Sequence, residues 1–211
     1  MSEPQVYTFK ELEKFQMYTP APGAQGKRSA LRYSSYRGNP RLSLFTNVPN
    51  DSNRGMLNAA MNPETFLIFL DLLEKIARDP GPGKYKIDCM TTPRAPEGAE
   101  RSTEKILGAE LYFGRDENGI VWISVTAPNR PRIKFEYRLS EFHKVYKGDG
   151  TALTESEGST LQALATVLAL REVFLTHMGE LRPPYVPNGT KTEGGKPAAK
   201  FDSAGFDDLT F

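Results

Sequence analysis

Two stretches of helical period set the frame for any fold of this chain. Asn62-Pro63-Glu64 opens the first with a capping side chain, a proline at the first helical position and a carboxylate at the positive end of the dipole. Phe66, Phe69, Leu70, Leu73, Ile76 and Ala77 then recur at helical spacing, Leu67, Ile68 and Leu72 widen the stripe, and Asp79-Pro80-Gly81 ends it. The second runs from Ser159 or Thr160 to about Met178, rich in Ala and Leu and closed by Gly179. Its apolar surface, from Leu161, Leu164, Leu168, Phe174, Leu175 and Met178, needs cover from a sheet or from a second copy, which leaves room for a homo-oligomer.

The remaining periodic stretches have period two. Lys84 to Thr91 reads as a strand, followed by a charged connection over 93–105. Ile106–Phe113 and Ile120–Thr126 form a hairpin, because Asn118-Gly119 supplies positive φ at a tight turn. Arg132 to Leu139 follows as another strand, with Arg132, Lys134, Glu136 and Arg138 on one face and Ile133, Phe135, Tyr137 and Leu139 on the other. With a basic hairpin before the first helix, the order is β-β-α-β-β-β-β-α. The expected class is α+β, an antiparallel sheet with two long apolar helices and disordered termini. Residues 1–26 read as an arm, with a short helix around Thr8 to Tyr18 and then a Pro/Gly linker. Residues 27–182 read as one domain, and residues 183–211 as a disordered linker with an acidic aromatic tip. The stretch between the basic hairpin and the first helix reads as a polar connection.

That basic hairpin, Lys27 to Phe45, gathers five cations, Lys27, Arg28, Arg32, Arg37 and Arg41, and three aromatic rings, Tyr33, Tyr36 and Phe45, without one carboxylate. As two strands joined at Arg37-Gly38-Asn39-Pro40, it puts Leu31, Leu42 and Leu44 toward a core and Arg32, Tyr36, Arg41 and Phe45 on an open face. Guanidinium groups neutralise phosphates and aromatic rings stack on unpaired bases, so the face has the chemistry of a single-strand platform. Arg37, Arg41, Arg130, Arg132 and Lys134 are the expected phosphate contacts, Lys27, Arg28 and Arg138 join the patch, and Tyr33 or Tyr36 is expected to stack. The bland alternative is a basic hairpin on an ordinary surface.

The formal net charge of +1 means that nucleic-acid binding must come from charge placement and not from bulk charge. One cysteine, Cys89, excludes an internal disulfide, and His143 and His177 stand apart from it and from each other, so no metal or cofactor is expected. The opening residues carry charges where a secretory signal needs an apolar run, and no segment approaches the ~20 apolar residues of a membrane span. A cytoplasmic location is expected, the host cytoplasm if the chain is viral. Gly83-Lys84 is followed by Tyr85 and not by Ser or Thr, so it is no phosphate loop, and Ser102-Thr103-Glu104-Lys105 lacks its companion motif. Asn188-Gly189-Thr190 is formally a glycosylation sequon, with nothing beside it that indicates secretion, and Asp116-Glu117 reads as a solvated turn. No catalytic constellation emerges, and no enzyme is expected.

The chain ends FDSAGFDDLTF, setting Asp202, Asp207 and Asp208 among Phe201, Phe206 and the terminal Phe211. Basic and aromatic strands, a polar linker and an acidic tip ending in phenylalanine together resemble the single-stranded-DNA-binding proteins of bacteria and bacteriophages. In that family such a tip recruits replication or transcription partners and competes with DNA for the basic groove. The resemblance implies a partner-binding role for Asp202, Phe206, Asp207, Asp208 and Phe211, with a replication protein or RNA polymerase as partner. It also implies single-stranded DNA as ligand, with RNA as an alternative. The body is unlike a five-stranded OB barrel, which does not contain two such helices. It looks closer to Whirly and positive-cofactor-like single-strand binders or to a virus-specific fold. The competing reading is a protein-interaction or virion-associated adaptor that uses the same tail.

Overall fold

The computed structural model describes residues 15–36, 39–92 and 103–176. The class is α+β, with two four-stranded antiparallel sheets and two helices. The first sheet is built in chain order from β1 (Gln16–Pro20), β2 (Arg28–Tyr36), β3 (Asn39–Phe45) and β4 (Met56–Ala60), followed by helix α1 (Pro63–Arg78). The second repeats the plan with β5 (Gly83–Thr91), β6 (Ile106–Arg115), β7 (Val121–Thr126) and β8 (Ile133–Glu136), followed by α2 (Glu155–Thr176). The order is therefore ββββα twice. The expected β-β-α-β-β-β-β-α order is corrected by two strands.

Both added strands lie at the edges of the first sheet. Gln16–Pro20 pairs with residues 28–32 of β2, so the fold begins inside the stretch expected to be an arm and linker, ahead of residue 27. An edge strand needs only one ladder, which is why Pro20 is tolerated at its end. β4 pairs with β3 from Arg41↔Ala60 to Phe45↔Met56, although its sequence MLNAA carries no β-branched residue. β1 has strand formers only in Tyr18 and Thr19 and β4 has none, so in both cases the pairing partner completes the extension. The expected strand 132–139 shortens to Ile133–Glu136, and the short helix expected around Thr8–Tyr18 is partly replaced by β1. Residues 1–14, 37–38, 93–102 and 177–211 lie outside the described residues, and with them the expectations of disordered termini and an acidic tip.

The inner faces of both sheets and one face of each helix share a single core. Leu31, Tyr33, Leu42 and Leu44 come from the first sheet, and Leu111, Phe113, Ile123, Val125, Phe135 and Tyr137 from the second. α1 follows its sequence closely. Asn62 Oδ1 accepts from the Thr65 amide at 2.8 Å, Pro63 takes the first helical position, and Phe66, Phe69, Leu70, Leu73, Ile76 and Ala77 are buried. Phe66 meets Phe174 of α2 at 5.1 Å, and Phe69 meets Phe113 edge-on at 5.0 Å.

α2 begins four residues earlier than its alternative start at Ser159, at Glu155, behind a reciprocal cap. Thr154 Oγ1 accepts from the Glu157 amide at 3.2 Å, while Glu157 accepts from the Thr154 amide at 2.9 Å. The ion pair to Lys147 and the bonds from Thr154 hold the Glu157 carboxyl down at about 2. α2 buries Ala163, Thr166, Val167, Leu170 and Phe174; Leu161, Leu168 and Leu175 stay exposed on the opposite face, seven residues apart.

Buried Arg115 fastens these layers together. Its Nε and Nη2 donate to the Ile76 and Ala77 carbonyls of α1, Nη1 donates to Gly119 O, and Nη2 also donates to Thr160 Oγ1 of α2. It thereby satisfies carbonyls that the end of α1 leaves open. Only Gly119 of the Asn118-Gly119 pair takes positive φ, +76°, where a side chain would run into Ser156.

Candidate nucleic-acid interface

From Phe15 to Pro63 the chain contains one carboxylate, Asp51, against Lys27, Arg28, Arg32, Arg37, Arg41 and Arg54. The four strands of the first sheet carry none, and their alternation sets a row of side chains on the outer face. The register places Tyr18 beside Ala30, Ala30 beside Phe45, and Phe45 beside Met56. The next row is Gln16, Arg32, Ser43 and Asn58, and beyond it Ser34 pairs with Arg41.

These rows build a slot. Tyr18 and Phe45 stand two strand spacings apart, about 9–10 Å between backbones, with only the Ala30 methyl between them. The resulting cavity, about 400 Å³, is lined by Tyr18, Arg28, Ala30, Arg32, Phe45 and Asn47. Tyr18 is 57% exposed and is steered by a 2.7 Å bond from its hydroxyl to Gln16. The Arg32 guanidinium lies 5.1 Å from the Phe45 ring centroid, a cation–π contact that holds it against the slot. Asn47, at φ +51°, donates to the Arg28 carbonyl at 2.6 Å. Below, Arg41 Nε donates to Ser34 Oγ, which bonds Ser43 Oγ, which donates to Asn58, so the polar floor is tied together. None of the ion pairs among the described residues involves Arg28 or Arg32.

The outer face of the second sheet has similar ingredients and a different charge balance. Arg132 stacks over Tyr112 at 4.0 Å, and Lys134 lies 5.9 Å from the Trp122 ring. Yet Lys134 pairs with Asp116 and Glu136, Arg138 with Glu136 and Glu155, and Lys86 with Asp88 and Glu110. The carboxylates bonded to Lys86 hold its ammonium pKa above the ordinary lysine range, and although burial pushes the Glu136 carboxyl up, the bonds from Lys134 and Arg138 outweigh it and hold it low. Internally neutralised cations offer less to a phosphate than free ones. The first sheet is therefore the better anion surface.

The expected site residues divide accordingly. Arg28, Arg32, Arg41 and Phe45 come together on the first outer face, with Lys27 exposed in the turn that precedes β2. Tyr33 does not belong with them. It points into the core, 1% exposed, and its hydroxyl meets that of Tyr137 at 2.8 Å, because residue 33 shares the inner face with Leu31. Arg130 is corrected too: its side chain is 9% exposed and pairs with Asp51. Arg132, Lys134 and Arg138 line the second sheet's neutralised face. Tyr36 pairs with Asn39 in the β2–β3 ladder, while Arg37, Asp202, Phe206, Asp207, Asp208 and Phe211 lie outside the described residues. Sequence reasoning missed Tyr18, and the missing signal was β1 itself: with Gln16–Pro20 extended, period two puts Tyr18 on the slot face.

No group of three or more potential metal ligands occurs among the described residues, and no helix among them is long and apolar enough to cross a membrane. Burial raises the Cys89 thiol to about 11, so it is a protonated core side chain and not a nucleophile at neutral pH. Compared with protein-family models, curated proteins and solved structures, the chain matches none.

Proposed function

We propose that the chain is a non-enzymatic single-stranded-DNA-binding protein whose contact surface is the outer face of the β1–β4 sheet. The observation that carries this reading is the slot over Ala30, where two aromatic rings meet two arginines that make no ion pair among the described residues, on strands whose sequences have no carboxylate. An unpaired base stacks between Tyr18 and Phe45, and Arg28, Arg32 and Arg41 take the phosphates on either side. A duplex, whose bases are already stacked, gains only the phosphate contacts. The acidic aromatic tip, with Asp202, Phe206, Asp207, Asp208 and Phe211, belongs to the same proposal on sequence grounds. It competes for the cationic face and recruits a replication or transcription partner.

Titration of a labelled single strand against a matched duplex at several salt concentrations tests the reading. Phe45→Ala is expected to weaken single-strand binding by roughly 1–3 kcal/mol, the worth of one stacked base, with little change in salt slope. Arg28→Ala is expected to reduce the slope by roughly 0.7, one phosphate contact. Equal affinity for duplex and single strand, or a Phe45→Ala variant that binds like the wild type, overturns it. Removal of residues 201–211 is expected to tighten binding most at low salt.

A further inference from the structure

The slot does not end at Tyr18. A second cavity, about 790 Å³, runs along the whole length of β1 between this edge strand and the segment that follows β8. Tyr18 and Arg28 line both cavities, so the two adjoin at β1. On its far side the groove is walled by Arg138, Glu141 and Phe142. Phe142 is 84% exposed, the most exposed large apolar side chain among the described residues, and it begins a run with exposed Val145 and Tyr146 and the cations Lys144 and Lys147.

This arm is a built structure. The His143 amide donates to Ser140 O at 3.0 Å, Phe142 N to Ser140 Oγ, Leu153 N to Val145 O and Lys147 N to Thr151 O, and Tyr146 bridges Ala152. Three large apolar side chains, Phe142, Val145 and Tyr146, stand exposed within five residues, more than a singly scattered surface residue. Among the charged side chains that line the groove, Arg28 and Arg138 balance Glu136 and Glu141. Glu136 is neutralised by Lys134 and Arg138, leaving Glu141 as the one groove carboxylate without an ion pair among the described residues.

We infer that a bound single strand leaves the slot over Tyr18 and Arg28, crosses the β1 edge through this groove, and stacks a further base on Phe142. The inference rests on the reading of the slot and adds a second subsite of the same ligand class. Because the subsites are separated by the width of β1 and the groove, only an oligonucleotide of sufficient length reaches both.

The test uses the full chain and fluorescein-labelled oligothymidylates of about 4 and about 16 nucleotides, followed by anisotropy. Phe142→Ala is expected to lose roughly tenfold in affinity for the longer oligonucleotide, one stacked base, and nothing for the shorter. Glu141→Gln is expected to tighten the longer one alone, by about threefold at low salt, as repulsion from one phosphate disappears. An unchanged thermal midpoint in both variants confirms that exposed positions were altered without loss of fold. If wild type and Phe142→Ala bind the longer oligonucleotide alike, or if Phe142→Ala weakens both lengths equally, the path through the groove is refuted and the slot stands. If the wild type binds neither length, the slot reading falls and takes the path with it.

Discussion

Replacing Asp51 by alanine is expected to lower the stability of the fold by about 3–5 kcal/mol, because it strands a guanidinium in the interior. Arg130 Nε stands 2.6 Å from Asp51 Oδ1 and Nη2 donates to Oδ2 at 2.8 Å, with side chains 9% and 3% exposed. Thr46 Oγ1 donates to the same carboxylate at 2.5 Å. The pair joins the β3–β4 connection of one sheet to the β7–β8 turn of the other, and it braces a loop under local strain. Asn47, Asn50, Asn53 and Arg54 all sit at positive φ, a region asparagine tolerates and arginine does not favour. Thermal unfolding should register the loss as a fall of roughly 6–20 °C for a chain of this size. Asp51→Ala with Arg130→Met should recover much of it, since removing both charges leaves neither one buried alone. Burial pushes the Asp51 carboxyl up, but the hydrogen bonds from Arg130 and Thr46 and the guanidinium charge outweigh it and hold it below the ordinary range. A depressed folded-state value means that the contribution is complete above the unfolded carboxyl value, about 3.9, and fades as pH falls through the lower folded one. The gap in stability between wild type and Asp51→Ala should therefore be constant at neutral pH and narrow below about pH 4. A gap that is small at pH 7, or that widens in acid, would show that the pair does not brace the sheets.

The helices were legible because their signals are local. An asparagine cap, a proline at the first turn and a 3.6-residue stripe suffice to place α1 between Asn62 and Asp79, and no distant contact is needed to read them. The start of α2 is equally local, but its Thr154–Glu157 cap lies ahead of the apolar run that begins at Leu161. The edge strands were another matter. QMYTP offers only Tyr18 and Thr19 as strand formers between a charged stretch and a Pro/Gly linker, MLNAA offers none, and each is a strand because β2 or β3 offers it an unfilled ladder. Losing β1 also lost Tyr18 and half the slot. Period two correctly separated Leu31, Leu42 and Leu44 from Arg32, Arg41 and Phe45. Applied to residue 33 the same rule places the ring with the leucines, and the cationic neighbours of Tyr33 in sequence are not its neighbours in space. Charge pairing was illegible for a similar reason. Arg130 and Asp51 are 79 residues apart, and only the packing of one sheet on the other brings them together.

Tyr33 supplies the sharpest test of that distinction, because a stacking residue and a core residue respond oppositely to the same substitutions. Its ring is 1% exposed, and Tyr137, its hydroxyl partner at 2.8 Å, is 2% exposed. Burial pushes both phenols upward, so each stays protonated across the physiological range and the pair is a neutral hydrogen bond. Tyr33→Ala removes a buried aromatic ring from beneath the sheet and is expected to cost about 3–5 kcal/mol. Tyr33→Phe keeps the ring and removes only the oxygen, leaving the Tyr137 hydroxyl buried without its partner, at about 1–3 kcal/mol. Tyr33→Phe with Tyr137→Phe removes both polar groups, so the double variant should be more stable than Tyr33→Phe alone and close to wild type. Single-strand affinity, measured well below each variant's unfolding temperature, should be unchanged in Tyr33→Phe and in the double variant, since neither alters the outer face. Denaturant unfolding of wild type, Tyr33→Phe, Tyr137→Phe and the double variant completes the cycle. A Tyr33→Ala variant that keeps wild-type stability while losing affinity and leaving the salt slope intact would put the ring on the binding face after all. Additive costs in the two phenylalanine variants would show that the hydroxyls do not meet.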